Sequence, residues 1–287
     1  MSKKIKNICI IYRPQSARAA QKAKEVASWL GQRGFKLFSH PEAKPIPGAK
    51  KIKESEIKLL DLVIVLGGDG TFLSAVRLLN SHPVPILGVN LGHLGFLTET
   101  KVEELYDVID MAIEGKMQKM ERATLHATII RKNGKKDSFH ALNDIVIERG
   151  PYSRLIDMEI FAGPFLVSTV KADGLIIATP TGSTAYCLAA GGPIVQPTVK
   201  AVTITPICSH TLTNRPVILS DDQKIKLKLS QDPGRAVLML DGQRKEDLTS
   251  DDVIIVTKGR KAVIMLSLPT RNYFDVLRSK LRFGQRD

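Results

Sequence analysis

The spacing of apolar and polar positions changes along the chain, and its clearest pattern lies at residues 62–79. Residues 62–66 are five apolar residues without alternation, which predicts a strand buried on both faces, as in a parallel sheet. The strand runs directly into the glycine-rich segment 67–71, and residues 72–79 follow with the spacing of an amphipathic helix. Strand, glycine-rich turn and helix start are together typical of the place where open α/β sheets bind ligands.

Similar patterns extend over the first part of the chain. They predict strands at residues 8–12, 35–38 and 85–89 and helices at residues 16–33 and 102–113. Residues 40–53 show no period and are predicted to form a loop. A second glycine-rich turn, residues 90–97, follows the strand at 85–89. In a Rossmann-like parallel sheet both turns would line one crevice at the carboxyl edge of the strands.

Beyond about residue 118 the pattern becomes that of short strands. Asn133-Gly134 is a hairpin signal between strand-like runs at 124–130 and 138–147. Further runs lie at 155–161, 165–170, 175–178, 201–206, 224–229, 236–240, 253–257 and 262–268. We therefore predict an α/β N-terminal domain at 1–118, a β-rich C-terminal domain with a β-sandwich fold at 119–268, and a C-terminal segment at 269–287 whose helix, 273–281, returns to the first domain.

The first glycine-rich turn carries candidate chemistry. Gly67, Gly68, Gly70 and Thr71 are predicted to form a phosphate loop, because glycines let backbone N–H groups close on a phosphate and a helix start adds partial positive charge. A carboxylate beside phosphates is repelled, so Asp69 is predicted either to hold a metal or to take a proton from an attacking hydroxyl. The alternative is a turn aspartate that hydrogen-bonds its own backbone.

Two common phosphate-binding motifs are missing from the sequence. It contains no GxxxxGK[ST] segment, and the turn lacks GxGxxG spacing. The GGDGT segment resembles that of a diverse group of kinases that includes phosphofructokinases, diacylglycerol kinases and NAD kinases. It does not distinguish among them.

The net charge of +13, from 42 basic and 29 acidic residues, is compatible with more than one kind of partner. The basic residues are scattered and aromatic residues make up only 5% of the chain, which argues against a nucleic-acid partner. A positive chain attracts polyanionic small molecules equally well, and a solvated basic surface is the remaining alternative.

The cysteines and the apolar runs indicate a cytoplasmic protein. Cys9, Cys187 and Cys208 form no CxxC pair, which indicates a reducing compartment without structural disulfides or zinc. The apolar run after the basic N-terminus is too short for a signal-peptide core, and no run approaches the ~20 residues of a membrane span. We expect no membrane association.

A second chemical cluster lies at residues 173–192, where a predicted strand ends in a loop rich in hydroxyl groups and glycines. Thr179, Thr181, Ser183 and Thr184 offer uncharged donors suited to ribose, amide or phosphate oxygens. The alternative is a helix N-cap with surplus threonines.

The ordered set of motifs resembles the NAD kinases. It comprises GGDGT at 67–71, Asn143-Asp144, the segment from Asp173-Gly174 to TPTGSTAY at 179–186, and Asp241-Gly-Gln243. The resemblance implies transfer of the γ-phosphoryl group of ATP to the 2′-hydroxyl of the adenosine ribose of NAD, which yields NADP and ADP. Such a transfer requires positioning and charge neutralisation, with a divalent metal, magnesium, as cofactor.

The resemblance also assigns residues to roles. Asp69 is implied to be the catalytic base, and Asn143 and Asp144 to hold ribose hydroxyls. The implied NAD contacts are Asp69, Gly70, Asn143, Asp144, Arg154, Lys171, Asp173, Thr184, Ala185, Tyr186, Cys187, Leu188, Ala189 and Gln243. The family more often has Asn-Glu where this chain has Asn143-Asp144, so the shorter carboxylate is expected to reach its ligand through water. The metal ligands stay open.

Further properties follow from the resemblance alone. It implies a site in the crevice between the domains and a homo-oligomer, a dimer or tetramer, and the charged Lys171 favours ATP over polyphosphate as donor. NADH acceptance and feedback inhibition by NADP(H) stay open. Two other functions are compatible with part of the sequence: a lipid kinase, which would share GGDGT, and a non-catalytic nucleotide sensor, which would not need Asp69.

Overall fold

The structure is a computed structural model that describes residues 5–92, 94–150, 153–230 and 236–282. Its helices are α1 (Ala17–Gln32), α2 (Asp69–Leu79), α3 (Leu105–Ile113), α4 (Tyr186–Ala189) and α5 (Tyr273–Leu281). Its strands are β1 (Asn7–Tyr12), β2 (Lys36–Ser39), β3 (Ala49–Lys51), β4 (Leu62–Leu66), β5 (Ile86–Asn90), β6 (Thr100–Lys101), β7 (Gln118–Arg122), β8 (Leu125–Ile130), β9 (Lys136–Ala141), β10 (Asp144–Arg149), β11 (Ile156–Ala162), β12 (Phe165–Ala172), β13 (Gly174–Ala178), β14 (Ala201–Ile207), β15 (Val217–Ser220), β16 (Ile225–Ser230), β17 (Ala236–Leu240), β18 (Arg244–Leu248), β19 (Val253–Lys258) and β20 (Val263–Ser267).

The chain divides into two compact units, one formed by residues 1–121 and 263–287 and the other by residues 122–262. The first unit is built on a sheet in the order β3-β2-β1-β4-β5-β20-β7, with β6 paired to β5. All the pairs from β3 to β20 are parallel, and every residue of β4 and β5 is buried. The buried face of α1, with Ala23, Val26 and Leu30, shares one hydrophobic cluster with these strands.

The second unit consists of two antiparallel six-stranded sheets, β15-β14-β13-β10-β17-β18 and β12-β11-β16-β19-β8-β9. One hydrophobic cluster contains inward side chains of both sheets, such as Ile147 and Leu175 from the first and Ile129 and Ile160 from the second. The predicted fold class, a parallel α/β domain followed by a β-sandwich, is confirmed. No helix among the described residues is long and apolar enough to cross a membrane.

Three segments differ from the sequence-based predictions. The loop at 40–53 contains the short edge strand β3, whose two lysines give no apolar signal. The single strand predicted at 138–147 is two strands, β9 and β10, which lie in different sheets. The run at 262–268, which we predicted in the second domain, contains β20, which pairs in parallel with β5 in the first unit. Two further short strands, the apolar β15 and the mostly polar β18, were also not predicted.

A close backbone approach in the first unit yields a stability prediction. A Cβ atom added at Gly88 of β5 would lie 2.7 Å from the backbone oxygen of Leu97 and 3.1 Å from Cδ2 of Phe72. Gly88→Ala should therefore lower the free energy of unfolding by about 1–3 kcal/mol, since a packed core resists an added methyl group. Urea denaturation would measure this change.

The matched control is Gly31→Ala near the end of α1, where the nearest atom to an added Cβ is Cδ1 of Leu37 at 4.0 Å. This change should raise the free energy of unfolding by up to ~1 kcal/mol, because alanine favours the helix. Equal effects of the two substitutions would contradict the close approach at Gly88.

Candidate active site

The first glycine-rich turn joins β4 to α2, as the sequence predicted. Gly68 is the N-cap residue and Asp69 is the first residue of the helix. The N–H of Gly67 donates to the oxygen of Val89 at 3.0 Å, so β4 and β5 end side by side. A Cβ at Gly67 would lie 2.5 Å from Oγ1 of Thr71, whereas Cβ atoms at Gly68 and Gly70 would meet no atom within 4 Å.

The carboxylate of Asp69 accepts four hydrogen bonds from the second glycine-rich turn. Oδ2 accepts the N–H of Phe96 at 2.9 Å. Oδ1 accepts the N–H of Leu97 at 3.0 Å, the N–H of Thr98 at 3.1 Å and the hydroxyl of Thr98 at 3.0 Å. The donors lie 27 to 29 residues away in sequence, so Asp69 does not make the local turn contact that was the alternative.

Gly95 makes this arrangement possible. A Cβ at Gly95 would lie 2.0 Å from Oδ1 of Asp69 and 2.5 Å from Oγ1 of Thr98. No side chain other than hydrogen fits between the carboxylate and the turn. Gly95 thus serves the close approach of Asp69, a role that the sequence did not indicate.

In the second unit, Asp241 plays a comparable structural part. Its carboxylate accepts the backbone N–H of Leu142 at 2.9 Å, of Asn143 at 2.7 Å and of Asp144 at 3.2 Å. These three groups lie at the break between β9 and β10, where the chain leaves one sheet for the other. Asp241 belonged to a motif in the sequence, but its clamp on residues 142–144 was not foreseen, because about a hundred residues separate the partners.

Asn143 and Asp144 present their side chains differently. Oδ1 of Asn143 is buried and has no hydrogen-bond partner among the described residues. The Asp144 side chain is buried, and this burial, followed by the negative charges of Asp241 and Glu148, raises the pKa of its carboxyl to about 7. An unpaired buried acceptor requires an explanation, and a bound ligand hydroxyl would supply one.

The hydroxyl-rich loop serves the fold more than we predicted. The hydroxyl of Thr179 donates to the oxygen of Leu142 at 2.7 Å, and its oxygen accepts the N–H of Gly182 at 3.0 Å. The Ser183 hydroxyl donates to the oxygen of Pro180 at 2.6 Å and accepts the N–H of Val195 at 2.9 Å. These two hydroxyls are therefore occupied by the backbone, contrary to the prediction that they serve a ligand.

The two other hydroxyls of the loop differ from this pair. The hydroxyl of Thr184 donates to the oxygen of Thr181 at 3.2 Å. The hydroxyl oxygen of Thr181 is buried without a hydrogen-bond partner among the residues that the structure describes. A Cβ at Gly182 would lie 2.0 Å from the oxygen of Asn143, so the loop packs directly against the Asn143-Asp144 segment.

The remaining predicted residues have varied surroundings. Asp173 forms an ion pair with Arg149, and Lys171 lies 3.8 Å from the carboxylate of Asp157. Tyr186 is exposed and has a side-chain hydrogen bond with Glu148. Arg154, Ala189 and Gln243 are exposed, and Ala185 and Leu188 are half-buried.

The Cys187 side chain is fully buried, with Sγ 3.3 Å from Oγ1 of Thr205. Because its thiol packs in the core, only the backbone of Cys187 could make the predicted contact with NAD. No group of three or more His, Cys, Asp or Glu side chains that could hold a metal occurs within the described ranges.

The raised pKa of Asp144 yields a pH-dependent prediction. Between its ordinary value of 3.8 and its folded value of about 7, the folded chain holds a proton that the unfolded chain releases. The parent therefore loses stability as the pH rises through this window, and the loss persists above pH 7. Asp144→Asn carries no charge at any pH. The free energy of unfolding of the variant minus that of the parent should increase by about 2 kcal/mol from pH 5 to pH 8.

Urea denaturation of both chains at the two pH values measures this difference. A difference that stays constant from pH 5 to pH 8 would contradict the raised pKa of Asp144.

Known proteins resemble the whole chain. The family model described as ATP-NAD kinase N-terminal domain matches residues 8–117, and that described as ATP-NAD kinase C-terminal domain matches residues 142–268. The NAD kinase of Bdellovibrio bacteriovorus is 45% identical over 282 residues, which cover 98% of this chain and 93% of that protein. The NAD kinase of Geobacter sulfurreducens is 43% identical over 284 residues, covering 98% of this chain and 100% of that protein.

Solved structures agree with these matches. Yeast NADH kinase complexed with NADH has a TM-score of 0.92 and 28% identity, with 100% of this chain and 90% of that chain covered. An NAD kinase from Archaeoglobus fulgidus in complex with ATP has a TM-score of 0.77 and 25% identity, with 95% and 99% covered. The fold, the order of the motifs and the relatives lead to one conclusion: this chain belongs to the ATP-NAD kinase family.

Proposed function

We propose that this chain transfers the γ-phosphoryl group of ATP to the 2′-hydroxyl of the adenosine ribose of NAD, giving NADP and ADP. Family membership supports the reaction class. The single structural observation that carries the proposal is the buried, unpaired Oδ1 of Asn143, an acceptor placed where a substrate hydroxyl would satisfy it. The related solved structures hold NADH in one case and ATP in the other.

In this proposal Asn143 and Asp144 bind ribose hydroxyls. The clamp by Asp241 fixes the backbone of both residues and thereby limits the positions of their side chains. With a pKa of about 7, Asp144 exchanges its proton near neutral pH, so it can donate to a hydroxyl oxygen or accept from a hydroxyl hydrogen. Arg154, Lys171, Asp173, Gln243 and residues 184–189 complete the proposed NAD contacts.

The reaction itself requires a base. The 2′-oxygen of the ribose forms a bond to the γ-phosphorus while the bond from that phosphorus to the bridging oxygen of ADP breaks. The hydroxyl proton passes to the carboxylate of Asp69. A positioned base contributes typically ~10²–10⁴ in rate. Gly68 and Gly70 leave space at the start of α2, where a phosphate would face the positive end of the helix.

We propose magnesium as the divalent cofactor. The described residues contain no cluster of metal-ligating side chains, which fits an ion held mainly by nucleotide phosphates and water, as is usual for magnesium in kinases. When bound, the ion would neutralise charge on the phosphates.

Three further properties belong to the proposal. The protein acts in the cytoplasm, forms a homo-oligomer, either a dimer or a tetramer, and has no nucleic-acid partner. The excess of basic residues supports attraction of NAD and ATP, both of which are polyanions.

An assay with magnesium, ATP and NAD, in which a coupled dehydrogenase detects NADP, tests the function and the role of Asp69 together. The parent should produce NADP from NAD. In separate reactions NADH or diacylglycerol replaces NAD as the acceptor. Asp69→Asn should lower kcat by at least ~10², because the amide cannot take the proton. Phosphorylation of diacylglycerol and not of NAD by the parent would overturn the proposal.

Two controls separate the roles of Asp69. In Asp69→Asn the NH₂ group of the amide would face N–H donors of residues 96–98. A thermal melt reports whether this variant is still folded at the assay temperature. A magnesium titration distinguishes a base from a metal ligand, since only loss of a ligand weakens the magnesium dependence. Retention of more than roughly a tenth of the parent rate would show that Asp69 is not the base.

Asn143→Ala should raise KM for NAD by about tenfold while KM for ATP changes little. The substitution removes the acceptor proposed for a ribose hydroxyl, and a buried hydrogen bond lost in this way costs ~1–3 kcal/mol. Initial rates with each substrate varied in turn measure both constants. An equal rise of both would indicate that Asn143 serves the scaffold.

A further inference from the structure

The two oxygens of the Asp69 carboxylate have unequal surroundings. Oδ1 accepts three hydrogen bonds, two from backbone N–H groups and one from the Thr98 hydroxyl. Oδ2 accepts one, from the N–H of Phe96. A carboxylate offers about four lone-pair positions, two on each oxygen. The donors from the described residues thus fill the positions on Oδ1. Of the two oxygens, Oδ2 is the one that keeps a position for another hydrogen.

Thr98 accounts for most of this inequality. Its backbone N–H and its hydroxyl both point to Oδ1, and its side chain is fully buried. The hydroxyl oxygen accepts a hydrogen bond from Nδ2 of Asn90 at 3.0 Å. Because Nδ2 can only donate, the single hydrogen of the Thr98 hydroxyl is directed to Asp69.

Asn90 is itself fixed in orientation. Its Oδ1 accepts the N–H of Gly92 at 2.6 Å, so its NH₂ group must be the end that faces Thr98. The result is a directed chain of hydrogen bonds from Asn90 to Thr98 to Oδ1 of Asp69. Gly95 lies close to the same oxygen, since a Cβ there would lie 2.0 Å from it.

We infer that Thr98, held by Asn90, is a positioning residue that occupies Oδ1 of Asp69 and leaves Oδ2 as the atom that accepts the proton of the substrate hydroxyl. The inference rests on the proposed function, because it names the atom that performs the proposed step. The O–H bond of the 2′-hydroxyl breaks and its proton bonds to Oδ2. The electron pair left on the ribose oxygen forms the bond to the γ-phosphorus, while the bond from that phosphorus to the bridging oxygen breaks and ADP leaves. Without the Thr98 hydroxyl, Oδ1 keeps the backbone donors of Leu97 and Thr98, but the carboxylate loses one of its four hydrogen bonds and is held less firmly in the orientation that presents Oδ2.

Thr98→Ser and Thr98→Ala form the matched pair that tests this inference. Both remove the methyl group, and only serine keeps the hydroxyl. Thr98→Ala should lower kcat about tenfold or more, because misplacement of a reacting group by a fraction of an ångström has effects of this size. KM for NAD should stay within about threefold of the parent, and Thr98→Ser should recover most of the kcat.

Thr100→Val provides the control for a buried threonine in general. Thr100 is fully buried near the same turn, and its hydroxyl has no hydrogen-bond partner within the described part of the chain. This substitution should leave kcat and KM near the parent values. Thermal melts of all four chains show whether each variant is folded at the assay temperature.

The outcomes separate the inference from the proposed function. An inactive parent would overturn the proposed function, whatever the variants do. With an active parent, equal kcat values for Thr98→Ser and Thr98→Ala would overturn the inference alone. A kcat for Thr100→Val as low as that for Thr98→Ala would do the same, because loss of activity would then follow any disturbance of the turn. Recovery by serine with an unchanged KM would support it.

Discussion

Backbone N–H groups in a turn or at a break between strands have no partner strand and need other acceptors. In each unit the carboxylate of an aspartate accepts three consecutive N–H groups of this kind. Asp69 accepts the N–H groups of residues 96–98, and Asp241 accepts those of residues 142–144. Buried backbone donors without acceptors are costly, so each carboxylate determines the path of the chain around it. The turn after β5 and the break between β9 and β10 both depend on this interaction.

The same interaction has different chemical consequences in the two units. The carboxylate of Asp241 accepts hydrogen bonds from the backbone of residues 142–144, so the side chains of Asn143 and Asp144 can face other groups. Its charge, added to the larger effect of burial, helps raise the pKa of the Asp144 carboxyl to about 7. Asp69 retains one accepting position on Oδ2, which is compatible with both a structural and a chemical role.

Gly95 and Gly182 contribute to these sites through close contact with neighbouring groups. A Cβ at Gly95 would lie 2.0 Å from the carboxylate oxygen Oδ1 of Asp69, and a Cβ at Gly182 would lie 2.0 Å from the backbone oxygen of Asn143. Gly68 and Gly70, by contrast, border open space at the start of α2. The first pair holds loops together, whereas the second pair leaves room for a ligand.

The sequence by itself determined the classes of structure. The continuous apolar run 62–66, followed by glycines, indicates a strand buried on both faces, and the ordered motifs resembled one family before any distance was known. Only the tertiary structure decided which polar groups are free. Thr179 and Ser183 look like ligand donors in sequence but bond to nearby backbone, and Thr98 looks ordinary but contacts Asp69. The bonds of Thr179 to Leu142, of Ser183 to Val195 and of Thr98 to Asp69 span 37, 12 and 29 residues. Pattern and spacing cannot pair such residues, because these bonds are set by how the strands and turns pack.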